Sequence, residues 1–201
     1  MNAAEAAAQP VVVLAAGHGT RMGGPKAFAQ VGSATFLERI LARIGEAGCP
    51  AIVTVDPEFR PRVEALLKGL PRTAARLVAV DGRLPMLASV QAGVSALDRA
   101  ARGAWLWPVD APLLSAAGWR RARETVAAQP EAILKLHAQG RTGHPTWFPR
   151  WACDAIAAGR WEDGLLGFLA AVPPERIAHL ELPGETLADF NTPEQLALAR
   201  D

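Results

Sequence analysis

VVVLAAGHGTRMGGPKAF, residues 11–28, passes from an oily run into a glycine-rich turn and closes on a Pro25-Lys26 pair. VVVLAA (11–16) is β-branched with no polar alternation, the pattern of a strand buried on both faces of a parallel sheet. The turn has the composition of a phosphate cradle. Ala15, Ala16, Gly17 and Gly19 allow close backbone approach to a ligand, and exposed amides can hold phosphate oxygens. Arg21 offers a planar fork and Lys26 a compact mobile charge. The spacing nevertheless fits neither common nucleotide fingerprint. Gly17, Gly19 and Gly23 are one residue too far apart for G-x-G-x-x-G, and Asp56 lies well beyond the acidic position expected about 20 residues on. A P-loop needs Ser or Thr after Gly-Lys, whereas Pro25 precedes the lysine and Ala27 follows it. Taken alone, the stretch is also compatible with a surface turn carrying two solvated cations.

Outward from this turn, strands and helices alternate. Thr35 and Glu38 have the spacing of a capping box and open a helix whose Phe36, Leu37, Ile40, Leu41 and Ile44 share one face, with Gly48 ending it. Strands are expected at 51–56, 76–81, 104–110, 131–136, 144–148 and 176–181. The turn Gln139-Gly140-Arg141 joins the fourth of the later strands to the fifth. Helices are expected over 61–69, between Pro61 and Pro71, then over 86–101, 115–128, 150–158 and 163–171, and from Pro193 onward. The alternation predicts a single-domain α/β fold with a doubly wound, mostly parallel sheet. Residues 1–9 read as a tail and 10–201 as one domain. In such a sheet ligands sit beyond the carboxyl ends of the strands, so the 17–26 turn, Asp81 and Asp110 are the features to weigh.

The 21 basic and 20 acidic side chains nearly cancel, which argues against binding of nucleic acid or a membrane surface through bulk charge. Cys49 and Cys153 are far apart, with no metal-clip partner, and read as reduced core residues. The N-terminus has no basic segment before its apolar run, so a cytosolic protein is expected.

LAAGHGTRMGGPKAF closely resembles the L-A-[AG]-G-x-[GS]-x-R-[MF]-G-x-x-K loop of MobA-like nucleotidyltransferases. The resemblance continues through SVQAGV (89–94), WPVDAPLL (107–114), GHPTWF (143–148) and ADFNTPEQL (188–196), spanning residues 11–196. It implies a Rossmann-type nucleotidyltransferase fold and transfer of a nucleoside monophosphate, with loss of pyrophosphate, to a phosphorylated acceptor. The GHP segment and Ala16 are similar to the molybdenum cofactor cytidylyltransferase branch, while Asn191 is closer to the guanylyltransferase form. The implied donor is thus CTP or GTP and the implied acceptor a molybdopterin-type cofactor, with transient contact to a molybdoenzyme. A sugar-1-phosphate or another small phosphate is the alternative acceptor; a non-catalytic nucleotide- or cofactor-binding protein that assists enzyme maturation is the alternative class.

By the same resemblance, Leu14, Ala15, Ala16, Gly17, Gly19, Arg21, Lys26 and Ser89 would bind the nucleotide. Arg21, Lys26 and Asp110 would act on the phosphates. Asp110 with Asn191, or with Asp189 two residues earlier, would hold Mg2+, which typically takes one or two protein oxygens besides substrate phosphates. Asp110 also suits a turn cap, and Asn191-Thr192-Pro193 an ordinary helix start. His144 would touch the acceptor or be a packed histidine, and His18, His137 and His179 read as structural. Trp147 and Trp151 could line a pocket for a flat heterocycle such as a pterin, the other tryptophans being core. An acceptor phosphate monoester is largely dianionic near neutrality, so no general base is needed. The chain departs from the family at Pro85-Met86-Leu87-Ala88, where Gly-Met-Ser-Ser is usual, removing hydroxyls where base or ribose would be read. Leu166 stands where an arginine is often found.

Overall fold

The computed structural model describes residues 9–70 and 72–197. Pro71, most of the expected tail and the end of the terminal helix lie outside the described residues. The chain runs β1 (Val11–Leu14), β2 (Gln30–Val31), β3 (Ala34–Thr35), α1 (Phe36–Glu46), β4 (Ala51–Val55), α2 (Arg60–Lys68), β5 (Ala75–Ala79), α3 (Met86–Ser95) and β6 (Gly103–Pro108). It continues with α4 (Ala116–Ala128), β7 (Ile133–Ala138), β8 (Arg141–Pro149), α5 (Arg150–Ala158), α6 (Gly164–Ala170), β9 (Ile177–Glu181) and α7 (Pro193–Ala197). Seven strands form one sheet in the order β5-β4-β1-β6-β8-β7-β9. β1 pairs in parallel with β4 and β6, and β8 alone runs antiparallel to both of its neighbours. The expected doubly wound, mostly parallel α/β sheet is present.

The unbroken apolar pattern of β1 has its explanation in the two faces of the sheet. Val11 and Val13 point into a cluster completed by α1, Val63 of α2 and Trp119 of α4. Val12 and Leu14 point into a second cluster formed with Val90 of α3, Ile156 of α5 and Phe168 of α6. Period-two alternation sends neighbours to opposite faces, so a strand covered on both sides has no polar position.

The predicted capping box is complete: the Glu38 amide donates to Thr35 Oγ1 at 3.2 Å, and the Thr35 amide to a Glu38 carboxylate oxygen at 2.7 Å. Gln139 and Gly140, both at positive φ, form the turn between β7 and β8, as a tight hairpin of right-handed twist requires. Trp105, Trp107, Trp119 and Trp147 are all fully buried. Their rings meet at 4.9–5.7 Å and at steep angles, the arrangement that aromatic quadrupoles favour.

Two expectations are corrected, and one element is added. Gln9, assigned to the tail, is buried and donates to the Arg123 carbonyl, while its own oxygen accepts the Trp105 indole N–H at 3.1 Å. The helix expected over 86–101 ends at Ser95, because the Ala96 and Leu97 amides turn back to the Gly93 and Val94 carbonyls and tighten the last turn. The β2–β3 hairpin, two residues on each side, is too short to leave a periodic signal and was not anticipated.

Candidate active site

The direction of winding reverses between β1 and β6, since β4 and β5 lie on one side of β1 and β6 on the other. Loops diverge at such a switch point and leave a crevice. Leu14 is the register partner of both Thr54 and Pro108, so the segments that follow β1, β4 and β6 emerge at one level. They enclose a cleft of about 210 Å³ lined by Leu14, Ala16, Gly17, Gly19, Lys26, Gly82, Leu84, Met86, Ser89, Pro108, Val109 and Asp110.

Two of the lining residues meet directly: the Lys26 ammonium donates to Asp110 Oδ2 at 2.6 Å, and also to Asn191 Oδ1 at 2.7 Å. These residues are brought together from across the chain. Lys26 opens a short 3-10 turn after Pro25, and Asp110 follows β6. Asn191 arrives on the strap that leaves β9 and returns across the strand ends. That strap is fixed at four places. The Leu182 amide bonds the His137 carbonyl, and the Glu185 carboxylate accepts the Ser115 amide at 2.9 Å and the Ser115 hydroxyl. Leu187 leaves no room for a side chain at Gly143, and the Phe190 amide donates to the Asp110 carbonyl at 2.9 Å. Phe190 is buried, its ring 5.6 Å from Phe36.

The fit to a divalent cation is tested by the donor set itself. Asp110 and Asn191 present two hard oxygens that converge on one cationic nitrogen, and hard oxygens are what Mg2+ takes. The residues fit. Asp189, the alternative to Asn191, is exposed and faces His144 electrostatically rather than meeting Lys26.

The glycine-rich turn, residues 17–26, which would be the donor loop for a triphosphate, contributes Gly17, Gly19 and Lys26 to the cleft. Gly19 sits at φ +59°, and a Cβ there would lie 2.1 Å from the Gly24 carbonyl oxygen; the folding of the turn itself requires glycine here. Gly17 is exposed on the cleft wall. Ala15 is not part of that wall: its amide is consumed by the Thr54 carbonyl at 3.0 Å and its side chain is buried. Arg21 is exposed on the Thr20–Met22 turn and does not line the cleft.

His144 stands at the start of β8, at the same edge of the sheet, and its Nδ1 is buried with no hydrogen-bond partner among the described residues. Burial pushes its pKa down, against the opposing fields of Asp189 and Asp110, so the neutral imidazole is favoured at pH 7. Trp147 and Trp151 do not form a pocket beside it. Trp147 is core, its indole N–H bound to the Pro130 carbonyl, and Trp151 donates to the Glu131 carbonyl while Arg176 covers its ring at 3.6 Å.

The unusual 85–88 segment is also placed differently. Leu87 packs into the core beneath α3, and the Ala88 amide returns to the Pro85 carbonyl. Of that segment Met86 lines the cleft, with Leu84 before it and buried Ser89 after it; Leu84 and Met86 are 54% and 58% exposed. Leu166, on α6, is 76% exposed.

Two residues that sequence reasoning set aside also meet here. His18 Nε2 lies 3.1 Å from Asp56 Oδ2, the oxygen that accepts the Gly82 amide at 2.8 Å, and the other Asp56 oxygen accepts the Glu58 amide at 2.9 Å. The amides of Gly82 and Glu58, with a smaller contribution from His18, hold the Asp56 pKa down at about 2. Glu58 completes a group whose ligating atoms lie within 4.8 Å, but both Asp56 oxygens are already spent on N–H donors. The usable signal was its place at the end of β4, the criterion that selected Asp81 and Asp110. Asp81 is engaged locally, by the Arg83 guanidinium at 2.9 and 3.1 Å.

The model of the MobA-like NTP transferase domain matches residues 11–177. Among solved structures, the chain is similar to Rv0371c from Mycobacterium tuberculosis H37Rv, with 25% identity and a TM-score of 0.77, covering 94% of this chain and 96% of that one. Rv0371c has also been solved in complex with manganese, at 24% identity and a TM-score of 0.72, over 94% and 95% of the two chains. A 4-diphosphocytidyl-2C-methyl-D-erythritol synthase from Anaerococcus prevotii shares the fold at 13% identity and a TM-score of 0.74, over 98% and 96%. No curated protein matches the sequence.

Proposed function

The chain belongs to the MobA-like NTP transferase family, and from that premise we propose that it is a Mg2+-dependent transferase joining CMP, or alternatively GMP, to a molybdopterin-type cofactor. The observation that carries the reading is the convergence of Lys26, Asp110 and Asn191 at the switch-point cleft. An acceptor phosphate oxygen would attack the α-phosphorus of the triphosphate; the bond to the bridging oxygen breaks and pyrophosphate leaves. The acceptor dianion supplies its own electron pair, so the demand on the protein is to bring two polyanions together and to stabilise the leaving group.

Each residue has a place in that task. The backbone around Ala16, Gly17 and Gly19 borders the phosphates, and Leu14 and Ser89 lie at the nucleoside end. Lys26, now neutralising Asp110, would turn its ammonium to the phosphates when a cation takes over that carboxylate. Asp110 and Asn191 would hold the metal, which when bound neutralises phosphate charge and polarises the reacting phosphoryl group. Arg21, exposed at the rim, would reach the outer phosphates. The neutral His144, with Nδ1 lacking a partner, suits a hydrogen bond to the acceptor. The GHP segment supports the molybdopterin branch, and a product of that kind would be passed on by transient contact with a molybdoenzyme. Two buried free cysteines agree with a reducing compartment, the cytosol, and no helix among the described residues is long and apolar enough to cross a membrane.

The test is incubation with CTP or GTP, Mg2+ and molybdopterin, following pyrophosphate release. Release with one of the two triphosphates is expected, and Asp110→Ala should lower it by roughly 10²–10³-fold, the scale on which loss of one charge-stabilising group acts. No release with either triphosphate from folded protein would overturn the reading.

A further inference from the structure

The cleft has two walls from different parts of the chain, and one carboxylate outside it ties them together. His18 lies in the donor loop between Gly17 and Gly19, and Gly82 opens the segment that carries Leu84 and Met86. Asp56 Oδ2 contacts both, at 3.1 Å and 2.8 Å, and the residue is only 7% exposed. The fit is close: a Cβ on Gly82 would lie 1.9 Å from the Ala16 carbonyl oxygen and 2.8 Å from His18 Cδ2. The His18 ring is braced in turn by Phe59, edge-on at 5.1 Å, which meets Phe28 beneath the Arg62 guanidinium. Asp56 does not line the cleft and has no part in the transfer chemistry. A carboxylate this buried, with Oδ2 shared between the loop and the facing wall and the other oxygen anchored by the Glu58 amide, is a structural tie.

We infer that Asp56, acting through His18 and Gly82, is a positioning residue for the nucleoside triphosphate: it fixes the spacing between the donor loop and the Leu84–Met86 wall, so that the nucleotide cleft is preformed. The inference rests on the reading of that cleft as the triphosphate site. Lys26, Asp110 and Asn191 are held by each other and by the strap, independently of Asp56. Loss of the tie therefore charges the cost of ordering two loops to nucleotide binding and leaves the phosphate chemistry in place.

The experiment titrates CTP and GTP, each with Mg2+ and without acceptor, into the wild type, Asp56→Ala, Asp56→Asn and His18→Ala, with melting temperatures in parallel. Asp56→Ala should weaken binding of the better nucleotide by about tenfold or more, and His18→Ala by about three- to tenfold, consistent with unfavourable ordering of a loop. Asp56→Asn, which keeps one acceptor oxygen, should recover part of the loss. In turnover assays the change should appear in KM, with kcat within about threefold. His18→Ala keeps the result decisive if Asp56→Ala fails to fold, because it leaves both backbone bonds to Asp56 intact. A lower melting temperature with nucleotide affinity within twofold of wild type would overturn the inference and leave the transferase reading standing. A loss confined to kcat would do the same. Wild-type protein that binds neither triphosphate would overturn both.

Discussion

Phe190→Ala tests whether the strap delivers Asn191 to the site. Phe190 is 4% exposed and its ring lies 5.6 Å from Phe36, which is itself on the buried face of α1. Emptying a buried phenylalanine site costs about 3–5 kcal/mol. The backbone bond from the Phe190 amide to the Asp110 carbonyl needs no side chain, and the strap around Phe190 is irregular chain with no strand pairing of its own, so it can relax into part of the void. The low end, about 3 kcal/mol, is therefore expected. Phe190→Leu keeps most of the volume and should cost about 1 kcal/mol. Urea unfolding followed by tryptophan fluorescence reports the difference, read from midpoints at a common slope. Pyrophosphate release should fall with it in Phe190→Ala, because the adjacent Asn191 loses its anchor. A stability change below about 1 kcal/mol for the alanine variant would refute the claim that this ring docks the strap.

Asp56 should leave a signature in the pH dependence of stability. Its pKa falls from 3.8 to about 2 on folding, so its contribution is complete above the unfolded value and is lost as pH drops through the folded one; the drop corresponds to about 2 kcal/mol. The stability gap between wild type and Asp56→Asn should narrow by about that amount between pH 5 and pH 2, and a constant gap would contradict the assignment. Thr35→Ala should destabilise the chain by about 1 kcal/mol through loss of the α1 cap, measured by the same unfolding; no change would show that the capping box carries no net energy. Cys153, buried and with its pKa pushed up to about 12 by desolvation, should resist iodoacetamide at pH 8 in native protein and react in denaturant. Rapid native labelling would exclude that burial.

Local chemistry was legible before the fold was known. The apolar run of β1, the capping box, the Gln139-Gly140 turn and the strand–helix alternation depend on neighbours in sequence, and each appears as read. So does the family, because its loop motifs are contiguous. Lys26, Asp110 and Asn191 were each identified, and the resemblance paired Asp110 with Asn191, but the direct bonds of Lys26 to both were not foreseen, since Lys26 and Asn191 lie 165 residues apart and meet only because β1 and β6 are adjacent and the strap returns over them. Ala15 shows the same limit from the other side: its place in the motif said nothing of the Thr54 carbonyl that consumes its amide.

The same limit accounts for Trp147, Trp151 and Asp56. Two tryptophans close to His144 in sequence are carried away from it by strand alternation and by the turn into α5. Asp56 failed as the acidic residue of a dinucleotide motif, and only the packing of Gly82 against Ala16 gave it a different task. Sequence alone determined the seven strands of the main sheet, which turn has the composition of a phosphate cradle and which side chains carry charge suited to phosphates, because those properties reside in residue type and short-range order. Which charges share a site, which loops face one another and how far apart they stand were decided by tertiary structure, because contacts between distant segments exist only once the strand order places them side by side.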